Sequence, residues 1–269
     1  MTTTTTHTLT VAGIGPVDVT LDDRGEGRPV LLLHGGGGPQ TVAGFAALLA
    51  GAQAARVITP THPGFAGAVR PARLSSVGGL AALYVALLDD LDVTGVTVVG
   101  NSIGGWIAAE VALLHSPRVS RVVLIDAVGI EVAGHPVADF FSLTLDQLSA
   151  LSFHDPDKFR IDPSKLPPAA QAALPGNRAS LAVYAGPTMN DPALAARLAD
   201  VTAPVLVLWG EADRVADVDY GRAYAAALPT ARFQLLTETG HLPQVETPQQ
   251  VLDAISTFAG ADVPSSVRS

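Results

Sequence analysis

Short apolar runs recur along this chain and are separated by alanine-rich stretches. Six of these runs are apolar at half or more of their positions, at residues 30–33, 56–59, 96–99, 122–125, 205–209 and 233–236. Such runs are typical of parallel strands that are covered by helices on both faces. The intervening stretches are predicted helices, at residues 45–49, 80–91, 105–114, 220–228 and 248–258. This alternation predicts an α/β fold.

The N-terminal region has a different pattern. Residues 7–11 and 17–21 alternate apolar and polar side chains, which predicts an exposed antiparallel hairpin. The threonine run that precedes them, Thr2–Thr6, is of low complexity, and we expect it to be disordered.

A long interval without buried strands follows the 122–125 run. Residues 137–151 and 167–174 within it are predicted helices, and prolines interrupt the remainder. We interpret residues 128–200 as a helical cap inserted after a strand, with 1–127 and 201–269 forming the α/β core. A separate helical domain is the alternative interpretation.

Composition narrows the class of protein. The chain has 269 residues, is 48% hydrophobic and carries a net charge of −9. It has no lysine or arginine cluster, which argues against nucleic-acid partners and anionic membranes. It has no cysteine, and its seven histidines are dispersed, so we expect no metal site. Without a signal-peptide pattern or a long apolar run, we expect a cytoplasmic protein, monomeric or homodimeric, with a small-molecule substrate.

The most informative motif is Gly100-Asn101-Ser102-Ile103-Gly104. A predicted strand leads into it and a predicted helix follows it. A serine between glycines at such a corner is held in a sharp turn with its hydroxyl exposed. The N-terminus of the following helix favours the negative charge that forms when a serine attacks its substrate. The motif therefore predicts that Ser102 is a nucleophile.

A nucleophilic serine needs a base, and the base needs an acid that orients it. His241 and Asp213 each follow a late predicted strand, as Ser102 follows an earlier one. Loops after parallel strands open at the same edge of the sheet, so we expect the three residues to converge. Asp126, after the preceding strand, is the rival acid. Glu211 is the other nearby carboxylate, and we expect it to support the loop.

A glycine run, Gly35–Gly38, follows the first buried strand and opens at the same edge. Glycines let backbone N–H groups approach a substrate oxygen closely. We expect the N–H groups of Gly36 and Ile103 to form an oxyanion hole. His34 is expected to support this loop by hydrogen bonding, His62 to play a similar part in its own loop, and Glu246 to fix the loop behind His241.

With these motifs, the chain resembles the α/β-hydrolase superfamily over almost its whole length. The motifs that carry the resemblance are His-Gly-Gly-Gly at 34–37, His-Pro-Gly-Phe at 62–65, Gly-Asn-Ser-Ile-Gly-Gly at 100–105, Gly-Glu-Ala-Asp at 210–213 and Gly-His-Leu-Pro-Gln-Val-Glu at 240–246. The resemblance implies a mostly parallel eight-stranded sheet with a cap after the sixth strand. It also implies the triad Ser102, Asp213 and His241, and no metal or organic cofactor.

Within this superfamily the serine favours hydrolysis of a carboxylic ester or a related acyl bond. The alternative is carbon–carbon bond hydrolysis of ring-fission products, because Asn101 beside the serine is similar to enzymes of that group. Those enzymes usually carry a tryptophan where this chain has Leu242, and a cap arginine, for which Arg178 and Arg160 are candidates. The alternative of another class is a non-catalytic ligand-binding protein. The residues expected to contact an apolar substrate are Gly37, Phe140, Phe141, Met189 and Leu242.

Overall fold

The computed structural model describes residues 2–52, 54–160 and 162–260. Outside them lie Met1, Gln53 and residues 261–269 of the predicted core, and Ile161 of the predicted cap. The strands are β1 (Thr2–Val11), β2 (Gly15–Arg24), β3 (Arg28–Leu33), β4 (Ala55–Pro60), β5 (Val96–Asn101), β6 (Val119–Ile125), β7 (Val205–Gly210) and β8 (Ala231–Leu236). The core helices are α1 (Gln40–Ala52), α2 (Val77–Asp90), α3 (Ile103–Leu113), α8 (Val218–Ala226), α9 (Pro243–Glu246) and α10 (Pro248–Gly260). The cap contributes α4 (Leu145–Ser152), α5 (Pro156–Phe159), α6 (Pro168–Ala185) and α7 (Leu194–Arg197), with short 3₁₀ turns at Pro163–Lys165 and Leu198–Asp200.

The eight strands form one sheet in the order β1-β2-β4-β3-β5-β6-β7-β8. From β4 to β8 all neighbours are parallel, whereas β2 is antiparallel to both β1 and β4. The prediction of a mostly parallel eight-stranded sheet is therefore confirmed. The carboxyl ends of β3, β5, β6, β7 and β8 meet at one edge.

Both faces of the sheet are apolar, as the unbroken runs predicted. In β3, Leu31 and Leu33 belong to the core beneath α2, α3 and α8, while Val30 and Leu32 belong to the core beneath α1 and α10. Successive side chains of a strand point to opposite faces, so a strand covered on both sides must be apolar throughout.

The prediction for the N-terminal threonines is wrong. Thr2–Thr6 lies within β1, paired in register with Thr20–Arg24 of β2. The hydroxyl of Thr4 donates to Asp22 at 2.6 Å, and that of Thr6 is 3.0 Å from the Thr20 hydroxyl. Threonine is β-branched and suits a strand, so these residues, despite their simple composition, extend the predicted hairpin.

Helices α4 to α7 lie between β6 and β7, and the first of them is shorter than expected. Residues 137–144 are not helical, and α4 begins at Leu145 after the N-cap Thr144. The Arg178 guanidinium from α6 donates to the carbonyl groups of Phe140 and Leu143 at 3.0 and 3.3 Å, which satisfies backbone acceptors outside any helix. No helix in the described ranges combines the length and apolar character needed to cross a membrane.

Candidate active site

Ser102 occupies a sharp turn between β5 and α3. Its backbone has φ 58° and ψ −121°, a conformation that non-glycine residues rarely adopt. A Cβ on Gly100 would lie 2.0 Å from the Gly104 carbonyl oxygen, and one on Gly104 would lie 2.4 Å from that of Leu33. The glycines are therefore required by close backbone approach on both sides of the serine.

Asp213 and His241 form a buried pair at the ends of β7 and β8. Asp213 Oδ2 lies 2.7 Å from His241 Nδ1. The other oxygen, Oδ1, accepts the N–H groups of Val215 and Ala216 at 2.7 and 3.2 Å. These bonds fix the carboxylate, which in turn fixes the imidazole ring with Nδ1 as the donor nitrogen.

The backbone of the His241 loop is held from three directions. The Asn101 amide donates to the His241 carbonyl at 3.0 Å. The His241 N–H donates to the carbonyl of Ser152, the last residue of α4, at 2.7 Å. Glu246 accepts the Gly240 N–H at 2.8 Å, and its carboxylate also accepts cap N–H groups. Glu246 therefore supports the loop as expected, and Asn101 links it to the serine turn.

The glycine loop rests on His34 and His62. His34 Nε2 accepts the His62 N–H at 3.1 Å, so Nδ1 carries the proton and donates to the Gly35 carbonyl at 2.8 Å. His62 Nε2 donates to the His34 carbonyl at 2.9 Å, and its Nδ1 accepts the Tyr84 hydroxyl. Burial lowers the pKa of His34 to about 4, and burial also lowers the pKa of His62 well below its usual value. Both rings are neutral supports of the loop.

Helix α6 of the cap lies across the glycine loop and across the neighbouring loop that follows His62. Polar side chains at helical spacing fix it there: Asn177 accepts the Ala66 N–H at 2.8 Å, and Ser180 and Tyr184 donate to the carbonyls of Gly64 and Pro63 at 2.9 Å. On the same face, Leu181 covers Gly36 so closely that a Cβ there would lie 2.8 Å from Leu181 Cδ2.

A cavity between the sheet edge and the cap brings most of the predicted site residues together. Ser102, His241, Asn101 and the glycines 35–37 line one part of it, with Thr41, Ser149 and Ser152. Apolar side chains line the rest: Phe140, Leu145, Leu148, Phe153, Leu181, Met189, Val215 and Leu242. Ile103 begins α3 directly after Ser102, and its side chain is buried in the core.

Phe141 is not in this cavity, which corrects the expectation that paired it with Phe140. It lines a second cavity, between residues 130–139 and the end of α6. The two phenylalanine rings pack edge to face with their centroids 5.6 Å apart, and each lines a different cavity. Sequence reasoning also missed Leu181, although the spacing of Asn177, Ser180, Leu181 and Tyr184 is that of one helix face.

Comparison with known proteins gives the family. A model described as "Alpha/beta hydrolase family" matches residues 30–254. The chain belongs to this family. It is 29% identical over 254 residues to a 2-hydroxymuconate semialdehyde hydrolase of Pseudomonas putida, covering 88% of this chain and 89% of that one. It is 26% identical over 270 residues to a 2-hydroxy-6-oxo-6-phenylhexa-2,4-dienoate hydrolase of Burkholderia cepacia, covering 89% and 90%.

The fold of this α/β hydrolase is also that of a solved thermophilic esterase from Thermogutta terrifontis. The two structures agree with a TM-score of 0.76 at 23% identity, over 95% of this chain and 98% of the esterase. The resemblance expected from the motifs is thereby confirmed.

The cap arginines of this α/β hydrolase do not line the first cavity. Arg178 is bound to carbonyl groups of residues 140–143 and lies over the Phe140 ring, 5.5 Å from its centroid. Arg160 is exposed, and Asp146 lies 3.8 Å from it. Among the described residues, the lining of the cavity includes no lysine or arginine.

Asp126, the rival acid, lies beside the pair but is not hydrogen bonded to His241. Its Oδ1 accepts the Gly210 N–H at 2.8 Å. Asp126, Asp213 and His241 each offer a possible metal-ligand atom, and these atoms lie within 4.8 Å of one another. The 2.7 Å separation between Asp213 Oδ2 and His241 Nδ1 is that of a short hydrogen bond, and it joins these two residues without Asp126.

Proposed function

We propose that this α/β hydrolase is a serine hydrolase that cleaves a carboxylic ester or related acyl bond in a small, largely apolar substrate. Ser102 is the nucleophile, His241 the base and Asp213 the orienting acid. One observation carries the proposal: Asp213 holds His241 by a 2.7 Å bond at the wall of the cavity that Ser102 also lines.

The chemistry follows from the two ends of the imidazole. With Nδ1 bound to Asp213, Nε2 is the nitrogen that takes the Ser102 proton while Oγ bonds to the substrate carbonyl carbon. The imidazolium then gives this proton to the leaving alcohol oxygen as its bond to carbon breaks. Water, deprotonated by His241, attacks the acyl-enzyme, and the proton returns to Ser102 Oγ as the acid leaves.

Two backbone N–H groups are proposed to hold the negative oxygen of the tetrahedral intermediate. The first is that of Gly36, which lines the cavity. The second is that of Ile103, in the first turn of α3. The first amide groups of a helix have no acceptor within the helix, and here the first turn closes with the Trp106 N–H bonded to the Ser102 carbonyl at 3.1 Å. The Ile103 N–H lies before this first bonded amide in the chain, so it belongs to the amides that have no acceptor within the helix.

The lining of the cavity favours an uncharged substrate. Phe140, Met189 and Leu242 contribute apolar surface, and the polar side chains in the lining are hydroxyl groups, one amide and the His241 imidazole. A substrate carboxylate would lose its hydration there without a cation to replace it. This supports ester or acyl hydrolysis of an apolar substrate over recognition of an acid.

Carbon–carbon bond hydrolysis is the second candidate, because the relatives from Pseudomonas putida and Burkholderia cepacia carry names of that activity. The name of the second includes a dienoate, which is an anion. In this chain Arg178 is engaged with backbone carbonyls of the cap. We therefore prefer the ester reaction.

Hydrolysis of p-nitrophenyl acetate by the wild type and Ser102→Ala tests the proposal. We expect kcat to fall about 10⁴-fold in the variant, because the nucleophile is lost while substrate binding remains. Ser120→Ala is the matched control, since Ser120 lies toward the start of β6, away from the cavity edge. Equal activity of wild type and Ser102→Ala would remove Ser102 from the mechanism.

A substrate panel separates the two reactions. Aryl esters, lactones and a ring-fission diketone acid are compared at matched concentrations. We expect turnover of the neutral esters, and turnover of the diketone acid alone would select the second candidate.

A further inference from the structure

A second buried carboxyl group lies beside the Asp213–His241 pair, at the end of the neighbouring strand. Asp126 directly follows β6 with a backbone φ of 46°, and its side chain is buried. One oxygen of Asp126, one of Asp213 and a ring nitrogen of His241 lie within 4.8 Å of one another. The proposed mechanism gives Asp126 no task.

The two carboxyl groups have unequal sets of hydrogen-bond donors. Asp213 accepts three N–H groups, from Val215, Ala216 and His241. Asp126 Oδ1 accepts one, from Gly210, while its Oδ2 is buried and has no hydrogen-bond partner among the described residues. Two ionised carboxylates this close in a buried site repel each other. The proton that relieves the repulsion belongs on the acid with fewer donors.

We propose that Asp126 is a neutral carboxylic acid in the resting enzyme and a positioning residue that directs its Oδ2 proton toward the Asp213 carboxylate. This inference rests on the proposed triad. Burial, followed by the negative charge of Asp213, raises the pKa of Asp126 well above its usual range, in agreement with this protonation state.

The neutral acid has two consequences for catalysis. It leaves one negative charge, on Asp213, to balance the imidazolium that forms when His241 takes the Ser102 proton. It also supplies Asp213 with an additional donor from the side of β6, which opposes rotation of that carboxylate away from His241. Asp126 thus acts through Asp213 and does not contact the substrate.

Infrared difference spectroscopy tests the proton directly. We expect the wild type near neutral pH to have the C=O band of a protonated carboxyl group, sensitive to deuterium exchange, that is missing from Asp126→Asn. The absence of this band from the wild type overturns the inference, whether or not the enzyme hydrolyses esters. Failure of the proposed function would instead appear as activity that does not depend on Ser102.

The same band provides a test that does not need the Asp126 variant to fold. Asp213→Asn removes the neighbouring negative charge, so the band should disappear at lower pH than in the wild type. An unchanged titration of the band would overturn the assignment to Asp126.

Ester kinetics separate positioning from bulk structure. Asparagine can accept the Gly210 N–H and donate toward Asp213, so Asp126→Asn should keep kcat within about threefold of the wild type. Asp126→Ala loses the donor, and kcat should fall about tenfold with little change in KM. An asparagine variant as impaired as the alanine variant would show that an ionised carboxylate is required and would overturn the proposal.

Discussion

Buried histidines flank Ser102 on two sides, and the two sides differ in the groups that their ring nitrogens contact. Beneath the glycine loop, His34 and His62 have every ring nitrogen in a hydrogen bond to the protein. On the other side, His241 commits Nδ1 to Asp213 and borders the cavity. The first arrangement makes a fixed neutral support, and the second is the arrangement that the proposed proton transfer requires.

The comparison teaches that burial alone does not identify a base. His34 and His241 are 0% and 6% exposed, so exposure scarcely distinguishes them. Their partners do: backbone groups determine the tautomer of His34, whereas a carboxylate orients His241. A carboxylate can stabilise the imidazolium during catalysis, and a backbone carbonyl does this less well.

The sharpest way to break the comparison is to remove that carboxylate. Asp213→Asn should lower kcat for an ester about 10⁴-fold, because the amide neither selects the right tautomer of His241 nor balances its positive charge. Steady-state kinetics measure this loss, and Asp126→Asn is the matched neighbour. A larger loss in Asp126→Asn would transfer the role of orienting acid to Asp126.

The support side predicts an effect on stability. The pKa of His34 is about 4 in the folded chain and 6.5 in the unfolded chain. Between these two pH values the unfolded chain therefore binds a proton at His34 that the folded chain does not bind. Stability from His34 is therefore present at neutral pH and lost as the pH falls. The free energy of unfolding should decrease by about 2 kcal/mol between about pH 7.5 and pH 5 through this residue.

Urea unfolding of the wild type and His34→Asn at both pH values measures that contribution as the difference between their pH dependences. His154→Asn, at an exposed histidine, is the control and should keep the wild-type dependence. If His34→Asn shows the same loss on acidification as the wild type, His34 is not a buried neutral support.

The smallest predicted effect concerns the loop that carries His241, the proposed base. Glu246→Gln weakens the acceptor of the Gly240 N–H, and we expect a loss of about 1 kcal/mol in stability and less than a tenfold decrease in kcat. Glu211→Gln is the matched control, since Glu211 accepts the Glu238 N–H at 2.8 Å from an exposed position. A greater loss of activity in Glu211→Gln than in Glu246→Gln would contradict the role given to Glu246.

Local patterns predicted the sheet and the serine turn well. Unbroken apolar runs indicated that both faces of the sheet are covered, and the glycines around Ser102 indicated a close approach of the backbone. Both are properties of residues near in sequence. The choice between Asp126 and Asp213 could not be made in this way, because each follows a strand that ends at the same edge. The 2.7 Å contact with His241 distinguishes Asp213 from Asp126.

Tertiary contacts decided what the sequence patterns left open or missed. Thr2–Thr6 is ordered by pairing with β2, and the non-helical residues 137–144 are stabilised by Arg178 from a distant helix. Phe141 lines the second cavity and not the first, and it belongs to the same irregular segment. Composition and periodicity describe neither kind of contact, so the lining of the cap was predicted less well than the core.

The bond from the His241 N–H to the Ser152 carbonyl makes the position of the proposed base depend on the position of α4. Lifting α4 to release a product would break this contact and leave the histidine loop with its bonds to Asn101 and Glu246. If products leave past α4, product release and catalysis would therefore have to occur at different times. A product that leaves between α6 and residues 130–139 would not disturb the contact between His241 and Ser152. The proposed base would then keep its position for the next turnover.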